Sequence, residues 1–474
     1  MRILGDLFRK KENKQVAEQK NVKDFKLNQE SSADQKSVSG SFVYGVQDTY
    51  KLLDSNELVV VGRVKGTVYP GMAVYVSNFG DDNDSILLTT VLGLEINQSP
   101  VDIATDCLVA LKLEAGQKGD IKTGSIVHTR YISTKEVHDA YISAIGDVYV
   151  LRKNLVLSED EIAFMSITDC AEAWRLFNWF HSKNSVNESE EEKLEYRKKT
   201  EKLADAICKK ILVADEIYTV FNKATGEPHM FSHTIDQDDG SYMCTPPDIM
   251  IISKAYSKLY ESMYPADKFE IRKIENGKNK DGIYNFLGST FYLNGACGAA
   301  ILSDQTAIDA GKLVPKPDYS DIPQINIPVT NPDLMRWMLL IGQLGHPETQ
   351  DAELIYKLYY RFMSIEMTKS MLVIPMQTDG EIPAADQNGK TVLKQGLQLK
   401  LPTMKGKHNR DAVRMFTDWK RLHMEYGPEW TGFLQPVSGM IDGFDCAINA
   451  TKYPAAGCYI SKDMYEEMIR MAAI

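Results

Sequence analysis

Cysteine is scarce and scattered. Cys107, Cys170, Cys208, Cys244, Cys297, Cys446 and Cys458 are spread over 474 residues with no C-x-x-C pair. That pattern excludes a disulfide framework and a zinc ribbon, and it fits a reducing, cytoplasmic setting. Long apolar runs are missing as well, so no transmembrane helix is expected. The N-terminal MRILGDLFRKKENK has no apolar core of the kind a secretory signal needs. Positive charge is not in excess: 54 Lys and Arg stand against 65 Asp and Glu, a net of −11, which gives no whole-molecule footprint for nucleic acid. Four catalytic signatures are absent too. The chain has no G-x-x-x-x-G-K-(S/T) phosphate loop, no G-x-G-x-x-G, no H-E-x-x-H and no G-x-S-x-G.

What is present reads as folded and multi-domain. The chain is 43% hydrophobic and 25% charged, and its length is that of about three domains. Residues 1–40 form an expected flexible basic tail, with nine Lys and Arg against six Asp and Glu. Ile3, Leu4, Leu7 and Phe8 could share one face of a short helix there. Residues 41–130 carry short β-rich runs at 58–64, 72–76, 86–94, 107–113 and 125–129, separated by Gly66, Pro70-Gly71 and the polar tip 78–85. That rhythm predicts a small closed barrel.

Residues 131–200 are expected to be a helical linker region, with a capping box at Ser158-x-x-Glu161 and helices over 162–181 and 190–212. Residues 201–310 mix strand and helix. Strands are expected at 216–221 and 269–274 and extended chain at 292–293, with a helix over 248–260. Residues 311–330 hold Pro315, Pro317, Pro323 and Pro328 and read as a stiff linker. Residues 331–474 again alternate: helices at 331–344, 352–367, 418–426, 440–449 and 462–471, strands at 371–376, 413–416, 432–434 and 459–460. This alternation predicts an α/β or α+β sheet domain.

The two mixed segments share an order of features. Met230-Phe231-Ser232 parallels Met415-Phe416-Thr417, Asn294 with Cys297-Gly298 parallels Asn449 with Gly457-Cys458, and Ser303 parallels Ser461. Tandem related domains are expected on that basis.

Candidate functional residues are few. His229 and His233 form H-x-x-x-H, which on a strand would face one side. A metal would need a third ligand, so no metal and no cofactor is expected. Asn294 and Gly295 open a small-residue patch, NGACG, that could approach a ligand closely. Cys297 and Cys458 lie in such patches and are candidate thiols, although a buried inert cysteine is the commoner outcome. Trp419 and Trp430 are candidate anchors for a protein partner, with core packing as the alternative.

Two parts of the chain resemble known families. VVVGRVKGTVYPGMAVYV (59–76), LLTTVLGLEI (87–96) and CLVALKLEAGQKGDIKTGSIV (107–127) resemble the second domain of translational GTPases such as elongation factor Tu. The resemblance implies a small β-barrel with Gly62, Gly66, Gly71, Gly93 and the Asp120-Ile121…Gly124 turn at its tight corners. The chain has no GTPase domain, and EINQSPV (95–101) stands where that family carries a basic segment. MLVIPM (371–376), VRMFTDWKRL (413–422), FLQPV (433–437) and FDCAINATKYPAAGCYISKDMYEEM (444–468) resemble the SseB, or enhanced serine sensitivity, family. That family's Asn-Pro step is here Asn449-Ala450. HMFSHTIDQDDGSY (229–242) and FYLNGACGAAILSD (291–304) resemble it more weakly.

Together these readings imply a multi-domain protein: a small all-β barrel followed by α/β (α+β) SseB-like sheet domains with helical linkers. The function implied is that of a non-enzymatic binding or regulatory protein with a protein partner. The alternatives are a translation-associated factor whose barrel contacts ribosome, tRNA or a translational GTPase, which the acidic balance disfavours, and an enzyme with an unrecognised site.

Overall fold

A computed structural model of the chain describes residues 41–51, 57–80, 86–114, 121–130, 132–151, 157–184, 188–232, 234–236, 242–323, 326–380, 398–406 and 410–473. The tail at 1–40, the acidic tip at 81–85 and His233 lie outside the described residues. The first eight strands are β1 (Phe42–Lys51), β2 (Glu57–Val68), β3 (Ala73–Ser77), β4 (Ile86–Ile96), β5 (Ser99–Val101), β6 (Ala104–Thr105), β7 (Leu108–Glu114) and β8 (Ile126–His128). β1-β8-β3-β4-β7-β2 pair antiparallel in that order, and β2 returns to β1. The small barrel expected from the turn glycines is therefore present as a closed, six-stranded one.

Alternation along the strands fills its interior. Val60, Val64, Val74, Val76, Leu111 and Leu113 are buried in one cluster. Tyr44 lies among them, and its one hydroxyl proton is shared between the carbonyls of Val60 and Val109, both at 2.9 Å. A buried hydroxyl satisfied in this way ties β1 to β2 and β7.

The helical region follows as α1 (Thr134–Ile145), α2 (Glu159–Phe164), α3 (Ile167–Asn184) and α4 (Glu190–Val213). The single helix expected over 162–181 is two. Met165 is extended, and the backbone N–H of Ser166 donates to the Asp169 carboxylate at 2.9 Å, starting α3 anew. Capping boxes stand at Ser133/Glu136 and Ser189/Glu192 besides the expected Ser158/Glu161. α1 lies on the outside of β1, where a Cβ on Gly45 would come within 2.9 Å of Ala144 Cβ. The hydroxyl of Tyr141 in α1 donates to Asp169 of α3 at 2.6 Å.

The first sheet is built from β9 (Glu216–Asn222), β10 (Met230–Phe231), β13 (Asp248–Ile252), β14 (Phe269–Glu275), β15 (Gly298–Ile301) and β16 (Ala307–Asp309), with β11 (Thr234–Asp236) and β12 (Tyr242–Cys244) as a separate hairpin. Its helices are α5 (Lys254–Met263), α6 (Gly282–Tyr292) and the short α7 (Ala310–Leu313). α8 (Pro332–Leu344) and α9 (Gln350–Lys369) lead to the second sheet. That sheet comprises β17 (Leu372–Thr378), β18 (Leu399–Lys400), β19 (Thr403–Lys405), β20 (Asp411–Met415), β21 (Thr431–Gln435), β22 (Asp445–Ile448) and β23 (Cys458–Ile460), with α10 (Trp419–Glu425) and α11 (Lys462–Ala472).

The two sheets share one strand order. The first runs β14-β9-β13-β15-β16. The second runs β21-β17-β20-β22-β23, joined between β17 and β20 by the Val373–Phe416 bridge. Each has one parallel pair, β13 with β15 and β20 with β22, among antiparallel neighbours. The correspondences expected from sequence are displaced along the chain. Ile251 and Met415 are the equivalent residues, since each accepts from the residue just past the next strand: Leu302 N–H to Ile251 at 3.0 Å, Asn449 N–H to Met415 at 2.8 Å. Leu302 and Asn449 both have positive φ, 60° and 48°. Asn449 therefore answers to Leu302, not to Asn294. Met230-Phe231 belongs instead with β19, since both pair with the start of the central strand. Ser461, the N-cap of α11, answers to Asp309, the N-cap of α7.

Three local expectations are corrected. Residues 248–252 are a strand, not the first turn of a helix, and residues 445–448 are a strand within the segment read as helical. Both are central and buried, so they lack the period-two signal. Tyr292 ends a helix rather than lying in an extended run.

Candidate functional site

Helix α10 carries the residues that connect the two sheets. It begins where Asp418 accepts the backbone N–H of Arg421 at 2.9 Å, an N-cap bond that satisfies one orphan donor of the first turn. The Arg421 side chain, buried, turns inward and donates to Asp418 Oδ2 at 2.5 Å, Asn294 Oδ1 at 2.6 Å and Glu227 Oε1 at 3.0 Å. Asn294 Nδ2 in turn donates to Glu227 Oε2 at 2.8 Å. One guanidinium thus binds two carboxylates and an amide contributed by both sheets. Only arginine offers so many donors in a fixed planar fork.

Next to this cluster, Thr417 N–H donates to Asn449 Oδ1 at 3.0 Å, and Asn449 Nδ2 donates to the sulfur of Met335 in α8 at 3.0 Å. Gly295 faces the same helix from the first sheet. Its φ is +81°, its carbonyl accepts from Arg336 Nε at 2.6 Å, and a Cβ there would lie 2.0 Å from the Pro332 carbonyl. Asn294 and Gly295, singled out as ligand-approaching residues, are therefore parts of an internal joint. What this arrangement does chemically is fix the relative orientation of two sheets.

His229 lies outside that cluster. Its ring meets Phe269 edge-on, with centroids 4.9 Å apart, and its buried Nδ1 has no hydrogen-bond partner. Burial pushes the imidazole down to about 4, and a hydrogen bond with Gln343 opposes that shift in part. Among the described residues, no group of three or more His, Cys, Asp or Glu could hold a metal ion. The thiols are poorly placed for nucleophilic chemistry, since burial raises Cys297 and pushes Cys458 up to about 12. Asp248 moves in the same sense, up to about 6, through burial and then the Asp309 carboxylate.

Trp419 opens α10, and Trp430 stands just before β21. Trp419 stacks on His423 with centroids 6.0 Å apart and overhangs Gly432, where a Cβ would lie 3.0 Å from its ring. Trp430 packs on Tyr426 at 4.7 Å, and the Lys400 ammonium lies 6.0 Å from its ring centre. Both indoles are half-buried and border β21.

The sequence reading missed Arg421, Asp418 and Glu227. Asp418 had a signal, a capping residue three positions before Arg421. Arg421 and Glu227 had none, because each looks like an ordinary surface charge. Among the described residues no helix is long and apolar enough to cross a membrane. No family model matches the chain, and no curated protein matches its sequence.

Proposed function

We infer that this chain is a non-enzymatic, multi-domain binding or regulatory protein, cytoplasmic, whose SseB-like sheets serve as binding modules. The observation that supports this reading most is the division of labour around α10. Its buried face holds the joint through Arg421, while Trp419 and Trp430 border an uncharged strand. Half-buried tryptophans beside open main chain are what a protein partner uses as anchors. The test is affinity capture from the native host with the purified chain as bait, followed by mass spectrometry. A partner retained by the wild-type chain and lost with Trp419→Ala plus Trp430→Ala is the expected result. A capture profile unchanged by that double substitution overturns the reading.

A second reading, a translation-associated factor, is favoured by the closed antiparallel barrel. The net charge of −11 weighs against it. Co-sedimentation with polysomes at low salt decides it, and absence from the polysome fractions removes it.

A further inference from the structure

The two sheets end in strands that hold the same place and differ in character. β14 is the outer strand beside β9, and β21 is the outer strand beside β17. β14 carries Glu270, Arg272, Lys273 and Glu275. Charged side chains along an edge keep a further strand from adding to it. β21 reads Thr-Gly-Phe-Leu-Gln and carries none.

The pairing of β21 with β17 decides which of its main-chain groups face outward. Val373 exchanges both its hydrogen bonds with Phe416, each at 2.8 Å, so its N–H and C=O point away from β21. The β17 residues that bond to β21 are then Leu372, Ile374 and Met376, opposite Gln435, Phe433 and Thr431. Gly432 and Leu434 direct their N–H and C=O to the open side. Among the described residues no strand pairs with that side. Pro436, without an N–H, ends the run.

We propose that this edge pairs with the same edge of a second copy of the chain, antiparallel, about a two-fold axis between the two Phe433 residues. In that register Gly432 of each copy stands opposite Leu434 of the other, and each such pair exchanges two main-chain hydrogen bonds. The side chains are complementary in the same register. Trp419 overhangs Gly432, a position with no side chain of its own, where a Cβ would lie 2.7 Å from Val373 Cγ1. Leu434 is 40% exposed and projects from the same face, two residues on. Leu434 of the second copy therefore enters beside Trp419, and the exchange is reciprocal. On the opposite face Phe433 meets its own counterpart in a non-hydrogen-bonded pair, the spacing at which aromatic cross-strand pairs stabilise best. Thr431 faces Gln435, so no like charges oppose across the axis. The proposal does not depend on the partner-binding reading, because it concerns the purified chain alone.

Sedimentation equilibrium on the full chain, from low to high micromolar concentration, tests it. The wild-type chain is expected to pass from monomer to dimer over that range. Leu434→Lys is expected to raise the dimer dissociation constant at least tenfold, by placing a charge beside Trp419 of the second copy. Leu434→Pro is expected to do the same by removing an outward N–H that makes no bond to β17, which keeps the fold's own ladder intact. Far-ultraviolet circular dichroism and melting curves confirm that both variants are folded. A wild-type chain that stays monomeric throughout overturns the proposal. A dimer whose dissociation constant neither variant changes overturns it as well.

Discussion

Arg421 Nη2 lies 2.6 Å from Asn294 Oδ1, although 127 residues separate the two in the chain. The bond crosses from one sheet to the other and sits in a cluster where Arg421 also forms ion pairs with Asp418 and Glu227. Removing the cation leaves Asn294 Oδ1 and Glu227 Oε1 without that donor and the buried Asp418 carboxylate without its counter-ion. Arg421→Ala is expected to cost about 3–5 kcal/mol, the cost of stranding a buried charge rather than the net worth of the pair. Urea unfolding at neutral pH measures it. Glu227→Gln keeps an acceptor for Arg421 at a more exposed position and is expected to cost less than half as much.

Gly342 lies within α8, where alanine would ordinarily stabilise a helix by about 1 kcal/mol. Here a Cβ would lie 1.9 Å from the Ala455 carbonyl, and backbone cannot swing aside as a long side chain can. The clash outweighs the propensity gain. Gly342→Ala is expected to destabilise by about 2 kcal/mol or more, and thermal melting will show the sign directly.

His229 and Asp248 set opposite pH dependences. The His229 imidazole titrates near 4 in the folded chain against 6.5 unfolded, so its contribution is complete above 6.5 and is lost as pH falls toward 4. The loss is at most about 3 kcal/mol, and it should be absent in His229→Gln. Asp248 runs the other way, from 3.8 unfolded to about 6 folded, so it weakens the fold as pH rises through that window. Asp248→Asn is expected to stabilise by about 1–3 kcal/mol at pH 7 and by nothing at pH 3.5. Denaturant midpoints of both variants across pH 3.5–7.5 separate the two effects.

Tyr44→Phe tests how the barrel is tied. It deletes the hydroxyl that serves the Val60 and Val109 carbonyls while leaving the ring in place. The expected cost is about 1–3 kcal/mol, because acceptors buried in the barrel lose their donor. Hydrogen exchange should rise in β1, β2 and β7 before it rises in either sheet.

The barrel was legible because β-branched runs such as VVVGRV alternate with turn glycines, and each signal is local. β1 escaped notice since Gly45 and Asp48 interrupt its pattern, and the bulge between Val46 and Asp48 breaks its alternation. The central strand Asp248–Ile252 is buried on both faces, so DIMII runs straight into α5 with no change of period to mark the boundary. The two sheets share one strand order, but the correspondences read from the sequence are displaced, because Met-Phe recurs in strands of different rank. The joint was the least legible part. Arg421 in WKRLHME resembles a solvated helix charge, and nothing nearby in sequence reveals Glu227, 194 residues away.

The distance along the chain between the parts of that joint has a consequence for how the protein is made. Glu227 and Asn294 leave the ribosome well before Arg421 exists. At about 5–20 residues per second, the 127 residues after Asn294 take roughly 6–25 seconds to synthesise. Throughout that interval the nascent first sheet presents an uncapped carboxylate and an amide to solvent, whereas the helix that presses against Gly295, Pro332–Leu344, is translated early in it. The first sheet is therefore born with its docking face open and is sealed by residues translated after it, which sets the order of maturation by the order of the codons.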